Sequence, residues 1–104
     1  MFKTIFCKLI WDGENPKSSK YFAILQREED LPFAPTPGVE IFWGDEMPQA
    51  LVRVRWEVSK NSFVCHMEDE FPYENEEDIY DYDFDWLVTR AVDVGWTLIS
   101  KQKM

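Results

Sequence analysis

Basic residues, cysteine and histidine are scarce in this chain, and each scarcity removes a class of protein. Eleven Lys and Arg stand against 20 Asp and Glu, a formal net charge of −9. A phosphate backbone or an anionic lipid surface requires clustered positive charge, so direct nucleic-acid binding and membrane-surface binding are not expected. Two cysteines, Cys7 and Cys65, are too few for a disulfide framework. No apolar run approaches about 18 residues, the length a membrane-spanning helix needs. The opening MFKTIFCKLIWDGE is broken by Lys8 and followed by no small-residue cleavage site, so it is not expected to be a secretory leader. The expectation is a soluble, cytoplasmic protein of a reducing compartment.

What the chain does contain is apolar and aromatic. Of its 104 residues 45% are hydrophobic and 16% aromatic, so general disorder is excluded by composition. A chain of this length buries about 60 to 70% of its unfolded surface, enough for one core, and residues 1–104 are expected to form a single domain.

The charge is concentrated. Residues Glu68 to Asp85, EDEFPYENEEDIYDYDFD, hold ten carboxylates and five aromatic rings with no basic side chain. The rest of the chain, ten acids against 11 bases, is close to neutral. Even fully extended at about 3.3 Å per residue, these carboxylates average roughly 6 Å apart, inside the Debye length of about 8 Å. They repel whatever their conformation, and counter-ions, bases of the same chain, raised carboxyl pKa values or a cationic partner must offset the repulsion. A charge run is commonly no more than a solvated face. Phe71, Tyr73, Tyr80, Tyr82 and Phe84 argue for more, because purely solvating acidic tracts are poor in aromatics.

Periodicity gives the elements. Phe2 to Trp11 reads as an interior strand with apolar residues on both faces, and Tyr21 to Arg27 as its hairpin partner across the turn residues Asp12-Gly13 and Asn15-Pro16. In the proline-rich stretch Leu31 to Gly38, Pro37-Gly38 suits a type II turn that leads into a strand Val39 to Trp43. Val52, Val54, Trp56 and Val58 alternate with Arg53, Arg55 and Glu57, which predicts a half-buried strand. A turn at residues 59–62 would pair it with Phe63 to Met67, setting Val58 opposite Phe63, Trp56 opposite Cys65, Val54 opposite Met67 and Arg53 beside Glu68. Asp83 is a good N-cap and Gly95 a good C′ residue for one helix, whose apolar arc of about 160° holds Phe84, Leu87, Val88, Ala91, Val92 and Val94. Trp96 to Ser100 is a last strand. The expected fold class is α+β: a mainly antiparallel sheet of about five or six strands with one C-terminal helix packed on one face, the acidic-aromatic segment 68–85 preceding the helix.

Catalytic and metal signals fail on geometry. Cys65 and His66 are adjacent on a strand and point to opposite faces, so they are not expected to act as nucleophile and base. Asp81, Asp83 and Asp85 resemble the start of a calcium loop, but Trp86 and Val92 stand where a glycine and a bidentate glutamate are needed. No catalytic residue, metal site or cofactor is assigned. Trp86 falls on the solvent side of the helical wheel, where either Arg90 one turn later covers it or it serves as a contact anchor.

The leading expectation is therefore a non-enzymatic binding protein that docks a basic partner protein as an inhibitor or immunity-like charge mimic, through Glu74, Glu76, Glu77, Asp78, Tyr80, Tyr82 and Trp86. An alternative is a pocket for a small organic cation, lined by several of Trp11, Trp43, Trp56, Tyr73, Tyr80 and Tyr82 with at least one acid. An enzyme using a carboxylate pair ranks third. A homodimer through exposed strand edges is compatible with all three.

Overall fold

The computed structural model describes residues 1–44, 47–74 and 81–103, with backbone alone at 73, 74, 81 and 82. In chain order the elements are β1 (Phe2–Trp11), β2 (Tyr21–Leu31), β3 (Glu40–Ile41), β4 (Gln49–Glu57), β5 (Ser62–Met67), β6 (Tyr73–Glu74), β7 (Asp81–Tyr82), α1 (Phe84–Asp93) and β8 (Thr97–Lys103). Six strands form one sheet in the order β3-β4-β5-β1-β2-β8, and β6 and β7 make a separate two-stranded ladder. The class is α+β, with one C-terminal helix among the described residues.

The sheet is mixed, which corrects the expected mainly antiparallel arrangement: β1 and β5 are parallel, pairing Thr4 with Phe63 and Cys7 with His66. Hairpins leave local turn signals in a sequence. The pairing of one hairpin with a strand some 50 residues away is decided by burial, and a parallel pair carries no turn to announce it.

Contacts concentrate in two compact units, Met1–Lys8 with Gln26–Glu68 and Leu9–Leu25 with Asp69–Met104. In the first, Ile5, Phe6, Leu51, Val64, Cys65 and Met67 are buried, and Phe6 meets the edge of Trp43 at a ring-centroid distance of 5.2 Å. The turn into β3 forms as the sequence predicts: Val39 N–H donates to the Thr36 carbonyl at 3.3 Å, and Gly38 takes φ 90°, a region closed to most side chains. Only Glu40 and Ile41 of the expected Val39–Trp43 strand join the ladder. Strand β2, by contrast, runs four residues past Arg27. Its sheet pairing carries Glu28, Glu29 and Asp30 into a strand that their propensities disfavour.

The β4–β5 hairpin differs from its expected register by two residues. Trp56 is paired with Phe63 and Val54 with Cys65, because a 3-10 turn, Val58–Lys60, takes Val58 out of the strand and ends on Asn61 in the left-handed region at φ 49°. The ladder then shifts between Leu51 and Arg53, where Val52 is the additional residue of a bulge. Most of the expected buried face is exposed: Val52 is 58%, Trp56 50% and Val58 83% exposed, and only Val54 is half-buried. Arg53 pairs in the ladder with His66, not Glu68.

In the second unit Ile10, Trp11, Ala23, Leu25, Leu87, Val88, Ala91 and Trp96 are buried. Helix α1 begins and ends where its sequence directs. Asp83 Oδ1 accepts the Trp86 backbone N–H at 2.8 Å. At the other end Trp96 N–H reaches the Ala91 carbonyl at 2.9 Å and Gly95 N–H the Val92 carbonyl at 3.2 Å, a Schellman closure with Gly95 at φ 115°. The helix buries Leu87, Val88 and Ala91 and half-buries Phe84 and Val94, while Val92, at the extreme of the apolar arc, is exposed. Among the described residues no helix is long and apolar enough to cross a membrane.

Candidate functional site

The acidic-aromatic segment is anchored at both ends. Past β5 the chain rejoins the edge of β1: Glu70 N–H donates to the Leu9 carbonyl and Trp11 N–H to the Glu70 carbonyl, each at 2.9 Å. The Trp11 indole N–H donates to Asp69 Oδ2 at 3.0 Å, and Phe71 stacks on the indole at 6.5 Å with ring planes 9° apart. The exit is the β6–β7 ladder, pairing Tyr73 with Tyr82 and Glu74 with Asp81, followed at once by the Asp83 cap. Of the expected contact residues, Glu76, Glu77, Asp78 and Tyr80 lie outside the described residues, and Glu74 and Tyr82 are placed by backbone only.

Trp86 is described in full. It is 39% exposed in the first turn of α1, with the Arg90 guanidinium 6.0 Å from its ring centroid. The stack on Arg90 that helical spacing allows is thus present at its outer limit, and a good part of the ring still meets water. Asp83 and Asp85 precede it and are exposed. Lys101 on β8 lies 4.0 Å from Asp85 and 5.7 Å from the Phe84 ring, a partner that reading the helix alone misses. With both side chains well exposed, that ion pair is screened and holds Asp85 weakly.

Charge survives these contacts. Asp69 is held by a neutral indole N–H and Asp83 by a backbone amide, so each hydrogen bond orients a carboxylate without cancelling its charge. Of the two arginines on β4, the side chain of Arg55 is engaged within its own hairpin. Arg55 bonds Glu57 at 2.8 Å and approaches His66 Nε2 at 3.3 Å.

The rings nominated for an organic-cation pocket have separate neighbours. Trp11 lies against Phe22 at 5.1 Å and against Phe71, Trp43 holds Phe6 and the Arg27 guanidinium at 4.8 Å, and Trp56 meets Phe63 at 5.1 Å. No cluster of three or more His, Cys, Asp or Glu side chains suited to a metal exists among the described residues.

The parallel β1–β5 pair makes one juxtaposition that sequence spacing could not, Cys7 beside His66. Burial raises the Cys7 thiol pKa, partly countered by Lys60 and a hydrogen bond with Gln26. A guanidinium only donates, so its contact with Nε2 needs that nitrogen unprotonated and occupies its lone pair. Burial thus opposes thiolate formation at Cys7, and the Arg55 contact engages the imidazole beside it. Cys65 is fully buried, and its pKa is pushed up to about 11 by burial, with Cys7 adding to the shift.

Comparison of the chain with protein-family models, curated protein sequences and solved structures gives no match in any of the three.

Proposed function

We propose that this chain is a non-enzymatic binding protein that docks a basic partner protein through the acidic-aromatic surface leading into α1, in its sharpest form a charge mimic that blocks a cationic site. The observation that carries the reading is Trp86, 39% exposed in the first turn of the helix just after two exposed aspartates, Asp83 and Asp85. Tryptophan is the side chain most enriched among residues that dominate interface energies, and surrounding carboxylates suit a cationic partner. Ten carboxylates in eighteen residues raise the encounter rate by long-range attraction, and desolvation of the ring then slows release.

The test immobilises the chain and measures the association rate of the basic proteins it retains as salt is raised. The rate is expected to fall steeply with ionic strength and to collapse in the variant E74Q/E76Q/E77Q/D78N. Trp86→Ala should instead raise the dissociation rate. Capture indifferent to the four amides would refute the proposal. The organic-cation reading ranks second: Trp11, Phe22, Phe71 and Asp69 do bring rings and a carboxylate together, but Trp11 is buried and its N–H already occupies that carboxylate.

A further inference from the structure

Strand β4 pairs with β5 from Leu51 to Glu57 on one side, and on the other meets only the two residues of β3, opposite Gln49 and Ala50. Two further bonds, Leu51 N–H to the Val39 carbonyl and Gly38 N–H to the Leu51 carbonyl, end the contact. From Val52 to Glu57 no described backbone group bonds on that side. An extended strand left open in this way is a template for another strand, and natural sheets usually guard such an edge with a proline, an inward charge, a bulge or a covering loop; the bulge at Val52 interrupts only the start of this one. Residues 52–57, VRVRWE, contain no proline, and Trp56 is half exposed.

We propose that this open edge pairs with the same edge of a second copy of the chain, antiparallel about a two-fold axis at Arg55. A two-fold perpendicular to the sheet places each residue opposite one of the same face, so the axis must pass through a residue. An axis at Val54 would set Arg53 opposite Arg55 of the second copy twice over, a like-charge clash. An axis at Arg55 sets Arg53 opposite Glu57 twice, and Val54 opposite Trp56 twice, using every residue from 53 to 57. In the single chain Arg53 is exposed with no ion-pair partner among the described residues, while Glu57 holds Arg55 on Oε1 at 2.8 Å and has Lys60 3.9 Å from Oε2. The second copy gives Arg53 an opposite charge and covers Trp56 with Val54. The two arginines at the axis each keep their own Glu57 as counter-charge. This interface uses residues 53–57 and is independent of the acidic-aromatic surface.

Sedimentation of the full chain at about 0.15 M salt, where repulsion between two acidic copies is screened beyond about 8 Å, reads the association directly. A concentration-dependent dimer is expected. Arg53→Glu and Glu57→Arg should each raise the dissociation constant by about 10-fold or more, since each replaces two attractive cross-strand pairs by two repulsive ones. The double variant R53E/E57R restores the opposite charges with their signs exchanged and should recover most of the affinity. Of the two substituted side chains Arg53 is exposed and Glu57 half-buried, and circular dichroism of each variant confirms that it is folded. A chain monomeric up to about 1 mM overturns the proposal, including the case in which the edge takes a strand from a different protein. So does a dimer that the single reversals leave unchanged, or one that the double variant fails to restore.

Discussion

Replacing Asp83 separates the two things a carboxylate does at the start of α1. Its Oδ1 accepts the Trp86 amide at 2.8 Å, satisfying one of the donors that a helix N-terminus leaves open, and its charge faces the positive end of the helix dipole. Loss of an N-cap oxygen costs about 1 kcal/mol, and loss of a favourable charge in the first turn about 0.3 to 1 kcal/mol. Asp83→Ala forfeits both, about 1.5 kcal/mol in sum, and Asp83→Asn only the second, because the amide keeps an oxygen in the same place. For a chain of 104 residues, about 1.5 kcal/mol corresponds to a fall in Tm of roughly 6 to 12 °C. Urea unfolding followed by circular dichroism should show the alanine variant with a lower midpoint and an unchanged slope, and the asparagine variant within about 1 kcal/mol of the parent. The gap between asparagine and aspartate should close in high salt, while that between alanine and asparagine should not. An alanine variant as stable as the parent, or an asparagine variant as weak as alanine, would refute the capping role.

Burial raises the Cys65 thiol to about 11 against an ordinary value of 9.0. A raised folded-state pKa means the group's contribution is whole below pH 9 and is lost as pH climbs through about 11, so stability should decline across that window more steeply in the parent than in Cys65→Ala. Alkylation of Cys65 should likewise require unfolding, with Cys7 reacting first and slowly. At the other end of α1, Gly95→Ala forces a side chain into φ 115° and should cost on the order of 1 to 3 kcal/mol in urea unfolding; a neutral result would mean that the Schellman closure contributes little. Phe6→Ala, at a fully buried ring, should cost about 3 to 5 kcal/mol, whereas Val58→Ala, at an 83% exposed side chain, should fall within about 0.5 kcal/mol of the parent. A large penalty at Val58 would restore the alternating buried face that the hairpin's pattern suggests.

The legible parts of this chain are those governed by neighbours a few residues apart. β1 occupies the residues its β-forming content marks out, with apolar side chains buried on both faces, and the Asp83 and Gly95 caps bracket α1 as their chemistry requires. The hairpin shows where such reasoning fails. Four alternating apolar residues predict a buried face at Val52, Val54, Trp56 and Val58, but a 3-10 turn and a bulge move the register, and Leu51 is buried instead. For the candidate site, sequence identifies Trp86 as solvent-facing. It could not supply Lys101 beside Asp85, Asp69 on the Trp11 indole or Cys7 beside His66, each a contact between residues distant in the chain.

By itself the sequence determined the concentration of negative charge, the positions of the turns and caps, and the placement of a tryptophan on the outer side of a helix, because covalent spacing and local hydrogen bonding suffice for each. Only the tertiary structure decided that β5 lies parallel to β1 and that β4 is left open from Val52 to Glu57 among the described residues. Those outcomes depend on which strands bury most surface against one another, a competition among distant segments that no local pattern records.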